Sequence, residues 1–362
     1  MRPAMWPSMK HLLACVGCAV VLLAASTAFP CGASFGSGVT VDPHQDIIVV
    51  WKDNVETYVF QPIFCGTATD FGLILPVPAS LSQYPAIIAQ QAFTTAAALS
   101  EPTKRQVVQQ SGGVGCGATG GNESTKAGVD TTTVVASGQV GFLDWTELEA
   151  DTTAALTDWL TANGYPYSST AASVFSYYVT KGWQFIAFRI SQDAAPDGGK
   201  ICRALGPVSL SFATPTPVVP SRMASAGGSS GGDYSQFSWR IFGITHGDAE
   251  LAFADGTSGN RVRWYSGAIQ AGDVPSLSGL AEAGDRLTRL ALTFGGSSSN
   301  PSSDPDIGLT TATPQDYRGI EDVYVQDDSS CSVGGGGRSP YSFLLTMSGL
   351  ALVGLLCWRR WR

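Results

Sequence analysis

Residues 183–190 read Trp-Gln-Phe-Ile-Ala-Phe-Arg-Ile. Successive side chains of a β-strand alternate between its two faces. One face of this stretch would carry Trp, Phe, Ala and Arg, and the other would carry Gln, Ile, Phe and Ile. Because both faces are mainly apolar, the pattern predicts a strand in the middle of a sheet that is covered on both sides.

Segments rich in β-branched and aromatic residues dominate the rest of the chain and predict a protein built mainly of strands. The turn-forming pair Lys181-Gly182 comes just before the central strand, so we expect residues 174–180 to form a hairpin with it. Further strands are predicted at residues 46–51, 55–64, 71–75, 132–136, 206–213, 236–244, 250–254, 261–265 and 287–294.

Two segments have helical patterns. Residues 85–99 are rich in Ala and Gln after an initial Pro, which suits a first helical turn. Residues 146–162 begin with Thr-Glu-Leu-Glu, a capping-box pattern, and are followed by a C-terminal stop, Asn163-Gly164. Many strands with few helices predict an α+β fold with a mainly antiparallel sheet and two or so helices, to which a C-terminal transmembrane helix is added.

The N-terminal end has the pattern of a secretory signal. Residues 1–28 combine two basic residues, an apolar run and small residues, which predicts a signal peptide cleaved after Ala28. The alternative is an uncleaved N-terminal anchor, but the apolar run is short for a membrane span. We therefore expect an exported protein that uses the export machinery.

The C-terminal end predicts a membrane anchor. Residues 327–340 form a Gly-rich spacer that contains Cys331, residues 341–358 carry no charge, and residues 359–362 are rich in Arg. The uncharged run nearly matches the thickness of a bilayer, and the positive-inside rule leaves the terminal Arg residues in the cytoplasm. Residues 29–326 are then an extracytoplasmic domain, with a sub-boundary at the Gly/Ser-rich residues 224–232. The protein is expected to be membrane-anchored or at the cell surface.

This C-terminal arrangement of Cys, Gly-rich spacer, apolar helix and Arg cluster resembles the sorting signals called MYXO-CTERM. The resemblance implies proteolytic processing near Cys331 by a sorting protease, transfer of the chain to the cell surface, and a lipid on that Cys. Ser332-Val333 stands where many such signals have a second Cys. The related GlyGly-CTERM class therefore stays open as the alternative.

The charge balance limits the partners of the mature protein. The full chain has 21 basic and 29 acidic residues, and only 14% of its residues are charged. Residues 1–28 and 332–362 hold six of the basic residues and none of the acidic ones, so residues 29–331 have a net charge of about −14. Such a charge excludes nucleic acid as a partner. It also argues against tight electrostatic adhesion to an anionic membrane.

Five cysteines lie between the signal peptide and the C-terminal apolar run, namely Cys31, Cys65, Cys116, Cys202 and Cys331. Four cysteines inside the folded region of an exported protein predict two disulfides, for which three connectivities exist. We favour Cys31–Cys65 and Cys116–Cys202, because the first closes a short loop. Cys331 is then left as the candidate for processing or lipidation.

Few side chains are suited to catalysis. Outside the signal peptide the chain has only His44 and His246, and it contains no zinc-binding motif. The carboxylate pairs Asp53 with Glu56 and Asp304 with Asp306 are the remaining candidates for acid–base chemistry. The sequence therefore predicts no catalytic, cofactor-binding or metal-binding residue, and no cofactor.

Three stretches of the body carry a family resemblance, namely Pro30-Cys31-Gly32, the nine residues IVVWKDNVE at Ile48–Glu56, and FGLILPVP at Phe71–Pro78. They resemble DUF2330, a bacterial family of unknown function. The resemblance implies export and supplies no catalytic residues. Our first hypothesis is a non-enzymatic, envelope-anchored module that binds an unknown surface ligand. The alternative is an envelope hydrolase that uses paired carboxylates on a glycan or a peptide.

Overall fold

The computed structural model describes thirteen segments of the chain, namely residues 33–35, 40–41, 44–61, 63–67, 72–109, 131–165, 167, 169–191, 200–225, 237–247, 249–256, 261–294 and 307–326. These residues fall into two compact units. The large unit contains the described residues up to Lys104 and those from 131 to Glu321. The small unit contains residues 105–109 and 322–326.

An eight-stranded sheet forms the centre of the large unit. In chain order its strands are β3 (His44–Lys52), β4 (Val55–Phe60), β7 (Leu81–Ile87), β13 (Val208–Ala213), β15 (Phe237–Thr245), β17 (Arg261–Ala268), β18 (Arg286–Phe294) and β20 (Tyr317–Arg318). Their spatial order is β20-β17-β18-β15-β3-β4-β13-β7. The pair of β15 and β3 is parallel. The other pairs of this sheet are antiparallel.

A five-stranded antiparallel sheet packs against one face of the eight-stranded sheet. It consists of β1 (Ala33–Phe35), β6 (Gly72–Val77), β9 (Thr132–Val140), β10 (Leu143–Ala150) and β11 (Gln184–Ile190), in the order β1-β6-β11-β10-β9. Ile186 and Phe188 of β11 point into the core shared by the two sheets, and Phe185 and Ala187 point into a second core. The prediction of a central strand covered on both faces is therefore confirmed.

Helices cover the outer faces of both sheets. The second core lies between the five-stranded sheet and the helices α2 (Thr153–Ala162) and α3 (Ser169–Thr180). A third core lies between the eight-stranded sheet and the helix α1 (Gln91–Leu99), together with the short 3-10 helix Val274–Leu277. The described part of the large unit is thus a four-layer sandwich of helix, sheet, sheet and helix. It agrees with the predicted α+β class and mainly antiparallel pairing.

Smaller ladders complete the described structure. A three-stranded sheet in the order β12-β5-β2 joins β2 (Thr40–Val41), β5 (Ile63–Thr67) and β12 (Lys200–Ala204). A second one in the order β14-β19-β16 joins β14 (Val218–Val219), β16 (Glu250–Phe253) and β19 (Ile307–Ala312). β8 (Thr103–Gln109) and β21 (Ile320–Gln326) form a two-stranded ribbon. Strands from both sides of residues 224–232 belong to the eight-stranded sheet.

The predicted helix at 146–162 is wrong in its first turn. Residues up to Ala150 belong to β10, which pairs with β9 on one side and with β11 on the other. The helix begins at Thr153. Thr152 is its N-cap, because the side-chain Oγ1 of Thr152 accepts a hydrogen bond from the backbone N–H of Ala155 at 3.3 Å. Pairing on both edges outweighs the local capping-box signal, because ladder bonds and burial stabilise the strand more than a cap would stabilise a helix.

Two further predictions are corrected by the structure. Residues 174–180 are helical, because Ala171, Val174, Phe175 and Tyr178 follow the helical spacing and pack together in the second core. The predicted helix at 85–99 begins only at Gln91, and Pro85 lies in β7. β7 is at the edge of its sheet, where a residue without an N–H is tolerated.

Several predictions lie outside the described residues. They are the signal peptide 1–28 with its cleavage after Ala28, the spacer 327–340, the transmembrane helix 341–358, the Arg-rich end 359–362, Cys31, Cys116 and Cys331. Within the described segments, no helix combines the length and the apolar character that a membrane crossing requires. The export and anchoring of the chain stay predictions.

Candidate functional site

A tight hairpin between β3 and β4 builds one wall of the candidate site. Its two turn residues, Asp53 and Asn54, have positive φ angles of 55° and 60°. Two consecutive residues in this conformation form the type I′ turn that matches the twist of a two-residue hairpin, and Asp and Asn tolerate it better than most residues. The hairpin belongs to the IVVWKDNVE stretch at Ile48–Glu56.

A cavity of about 340 Å³ opens beside this hairpin. It is lined by Val50, Lys52, Asp53, Val55 and Thr57 from the hairpin, by Gly279, Leu280, Ala281, Glu282 and Asp285 from the loop before β18, and by His246. Its volume lies within the range of small-molecule sites, which is about 300–1,000 Å³. The lining mixes aliphatic side chains with charged ones of both signs.

His246 and Asp285 form a short polar contact in the lining. Nδ1 of His246 lies 2.6 Å from Oδ1 of Asp285. The other carboxylate oxygen of Asp285 accepts a hydrogen bond from the backbone N–H of Glu282 at 2.7 Å. Asp285 is buried and His246 is about half exposed. Because a carboxylate accepts hydrogen bonds, this pair places a proton on Nδ1, and Nε2 of the neutral imidazole is then a hydrogen-bond acceptor.

An ion pair connects the two walls of the cavity. Nζ of Lys52, in the hairpin, lies 3.5 Å from Oε1 of Glu282, in the loop. Both side chains are largely exposed, so this contact contributes little to stability. It is therefore easily replaced by contacts to a ligand.

Glu56 lies on the other face of the same hairpin. Val55 and Thr57 line the cavity, and alternation along β4 places Glu56 on the opposite side, where it is fully buried. One of its oxygens accepts a hydrogen bond from the backbone N–H of Val218 at 2.8 Å, and the other has no partner among the described residues. Burial raises the pKa of Glu56 to about 8, although the Val218 hydrogen bond opposes this shift. The structure therefore does not bring Asp53 and Glu56 into one cleft.

A second buried carboxylate, Glu250, has a structural environment. It forms ion pairs with Arg263 and Arg286, and it accepts hydrogen bonds from Ser266 and from the backbone N–H of Gln315 at 3.0 Å. These contacts join β16, β17, β18 and the segment before β20. Glu250 therefore holds these strands together.

The other residues considered from the sequence are dispersed. His44 is the first residue of β3, and Asp304 and Asp306 lie outside the described residues. Cys65 and Cys202 are register partners in the β5–β12 ladder. The pairings Cys31–Cys65 and Cys116–Cys202 stay predictions, because Cys31 and Cys116 are not described. Within the described segments, no three His, Cys, Asp or Glu side chains are grouped so that they could hold a metal ion.

The sequence offered no signal for the His246–Asp285 pair. The two residues are 39 positions apart, and they meet because β15 and β18 are neighbours in the sheet. The exposure of Lys52 and Asp53 could have been predicted from the sequence, since two polar residues before Asn54 at the end of a strand indicate an exposed hairpin tip. Nothing in the sequence indicates the loop that faces them.

The described part of the large unit is thus a four-layer α+β sandwich with a small cavity beside its β3–β4 hairpin. The chain belongs to the family described as "Uncharacterized protein conserved in bacteria (DUF2330)", whose model matches residues 24–309. Comparisons with curated proteins and with solved structures gave no match.

Proposed function

We propose that this protein is an exported, envelope-anchored binding module whose cavity beside His246 takes a small hydroxyl-rich ligand, such as a sugar. The observation that carries the proposal is the lining of the 340 Å³ cavity, which combines an oriented imidazole, an ammonium and carboxylates with aliphatic side chains. Small-molecule sites have this composition, in which apolar walls supply contact area and a few polar groups fix the orientation.

The polar groups of the cavity suit a ligand that both donates and accepts hydrogen bonds. Lys52 supplies a donor, Asp53 supplies an acceptor, and Nε2 of His246 supplies a second acceptor. Hydroxyl groups match all three, because each hydroxyl is a donor and an acceptor. Val50 and Leu280 offer apolar contact to the C–H groups of a sugar ring. A strongly anionic ligand fits less well, because Asp53, Glu282 and Asp285 also line the site.

The arrangement favours binding over hydrolysis. A hydrolase of the paired-carboxylate type needs two carboxylates that face one substrate across about 5–10 Å. Glu56 is buried on the far side of the hairpin and is held by Val218, so it does not serve as the partner of Asp53. The oriented imidazole of His246 is the one feature of the site that favours catalysis, since an Asp-oriented His is a common general base.

The exported and anchored state is supported by the sequence of both ends. An apolar run precedes the small residues before Ala28, and an uncharged run at 341–358 precedes an Arg-rich end. The intact mass of the protein from native membranes tests this part of the proposal. A chain that begins near residue 29 supports export, and a mass that includes residues 1–28 contradicts the cleaved signal.

Binding is tested by isothermal titration of the full-length protein with N-acetylglucosamine and its disaccharide chitobiose. We expect Lys52→Gln to weaken binding about tenfold or more, because a hydrogen bond to a charged group contributes about 1.5–3 kcal/mol. Lys104→Gln is the matched control, since Lys104 is an exposed residue whose partner is Glu101. Equal affinity in the two variants, or no binding by the wild type, would contradict a sugar site here. Release of N-acetylglucosamine from chitobiose would establish the hydrolase alternative.

A further inference from the structure

β5 and β12 bring two cysteines directly opposite each other. In this antiparallel ladder, Cys65 of β5 is the register partner of Cys202 of β12. Opposite residues of an antiparallel pair share one face of the sheet, and their Cα atoms are separated by about 4.5 or 5.5 Å, depending on the hydrogen-bond pattern. A disulfide bond requires a Cα separation of about 4.4–6.8 Å. The register alone therefore satisfies the distance requirement.

The register is set by a longer ladder on either side of the cysteines. β4 leads directly into β5, and β12 leads directly into β13, and β4 and β13 are also antiparallel neighbours. Phe60 pairs with Val208, and Ile63 pairs with Ala204, so the pairing continues from one ladder into the next with a slip of a single residue. Buried residues of β4 and β13 fix the longer ladder within the shared core. The opposition of the two cysteines thus follows from the fold of the large unit.

We propose that Cys65 and Cys202 form a cross-strand disulfide bond in the exported protein. In this step each thiol loses its proton, and an Sγ–Sγ bond forms between the two residues. The two electrons reduce the disulfide of an exchange partner to two thiols, through a mixed disulfide intermediate. Exported proteins meet such disulfide oxidants outside the cytoplasm.

This pairing replaces the two that the sequence favoured. Cys31–Cys65 and Cys116–Cys202 each use one of these cysteines, so neither coexists with Cys65–Cys202 in the same molecule. The part of the chain that the structure describes shows no disulfide bond, and the inference rests on backbone register. It is independent of the ligand proposed for the His246 cavity.

Tryptic mapping distinguishes the pairings, because the four candidate cysteines lie on four different peptides. Cleavage after Lys and Arg places Cys65 on peptide 53–104 and Cys202 on the tripeptide Ile201-Cys202-Arg203. Cys31 lies on the peptide that ends at Lys52, and Cys116 lies on peptide 106–126. The full-length protein is folded in a buffer of oxidised and reduced glutathione, alkylated with N-ethylmaleimide and digested without reductant. We expect peptides 53–104 and 201–203 to be found linked by a disulfide.

Variants and a stability measurement make the test decisive. Cys202→Ser should leave Cys65 open to alkylation, and Cys331→Ser, the matched control, should leave the linked peptides unchanged. Reductant should lower the Tm of the wild type by about 5–10 °C and leave that of Cys202→Ser unchanged, since the bond constrains the unfolded chain. Alkylation of both Cys65 and Cys202 in the folded protein, or a link from either to peptide 11–52 or 106–126, would overturn the proposal.

Discussion

Replacing the buried carboxyl of Glu56 by an amide should stabilise the protein increasingly as the pH rises. Glu56 is fully buried in the core face of β4, and burial raises its pKa from 4.5 to about 8. At neutral pH the folded protein therefore keeps a proton on this side chain, whereas the unfolded chain releases it. Gln keeps the acceptor for the Val218 N–H, and its NH₂ group takes the place of the protonated oxygen.

The magnitude follows from the two pKa values. The folded state binds the proton of Glu56 more tightly than the unfolded chain does. The contribution of this proton to the free energy of unfolding is therefore fully present below pH 4.5 and is lost as the pH rises towards 8. Within this window the wild type loses roughly 1.4 kcal/mol of its free energy of unfolding for each pH unit. The loss between pH 4.5 and pH 7 is therefore roughly 3 kcal/mol. Glu56→Gln does not titrate, so the variant should avoid this loss.

Urea unfolding of the wild type and Glu56→Gln at pH 5, 6, 7 and 8 measures the effect. The difference in free energy of unfolding between the two proteins should grow by roughly 3 kcal/mol from pH 5 to pH 8. Glu149→Gln is the matched control, because Glu149 lies on the exposed side of β10, and its difference from the wild type should not follow this course. A Glu56→Gln difference that is constant between pH 5 and pH 8 would refute the protonated state of Glu56.

Three further substitutions test the packing of the sandwich. Gly243→Ala should lower the free energy of unfolding in urea by about 1–3 kcal/mol, because a Cβ at this position would lie 2.7 Å from Cδ1 of Leu251. Gly272→Ala is the control, since a Cβ there would meet open space and should change the stability little. Equal effects of the two substitutions would contradict the close approach of the strands at Gly243. Glu250→Gln should destabilise by about 3 kcal/mol, since its arginine partners lose their buried counter-charge, and a change below about 1 kcal/mol would show that the cluster is dispensable. Thr152→Ala should cost about 1 kcal/mol through the lost cap of α2, and Thr152→Ser should restore it.

The strands that could be predicted from the sequence are those whose local pattern agrees with their environment. Phe185 to Ile190 alternate between two apolar faces, and the structure covers both faces of this strand. Residues 146–150 and 174–180 were assigned wrongly for opposite reasons. In the first, pairing on both edges outweighs a helical start signal, and in the second, helical spacing of buried residues outweighs β-propensity.

The candidate site was beyond prediction because it is assembled by register. The hairpin at Asp53 and Asn54 is a local feature, which the Asp-Asn pair between two predicted strands could have indicated, but the loop that carries Asp285 faces it only after β3, β15 and β18 are in place. The opposition of Cys65 and Cys202 has the same origin. Distances along the chain favoured the short Cys31–Cys65 loop, and they contain no information about which strands become neighbours.

The parallel pairing of β3 with β15 has a consequence for the order of folding. Asp46 of β3 and Arg240 of β15 are register partners and are 194 residues apart. β3 is therefore synthesised long before the strand with which it pairs in the middle of the sheet. Closing so large a loop before its contacts form slows folding. A nascent chain that lacks β15 cannot complete its largest sheet, and this delay would keep the chain unfolded for the export that we propose.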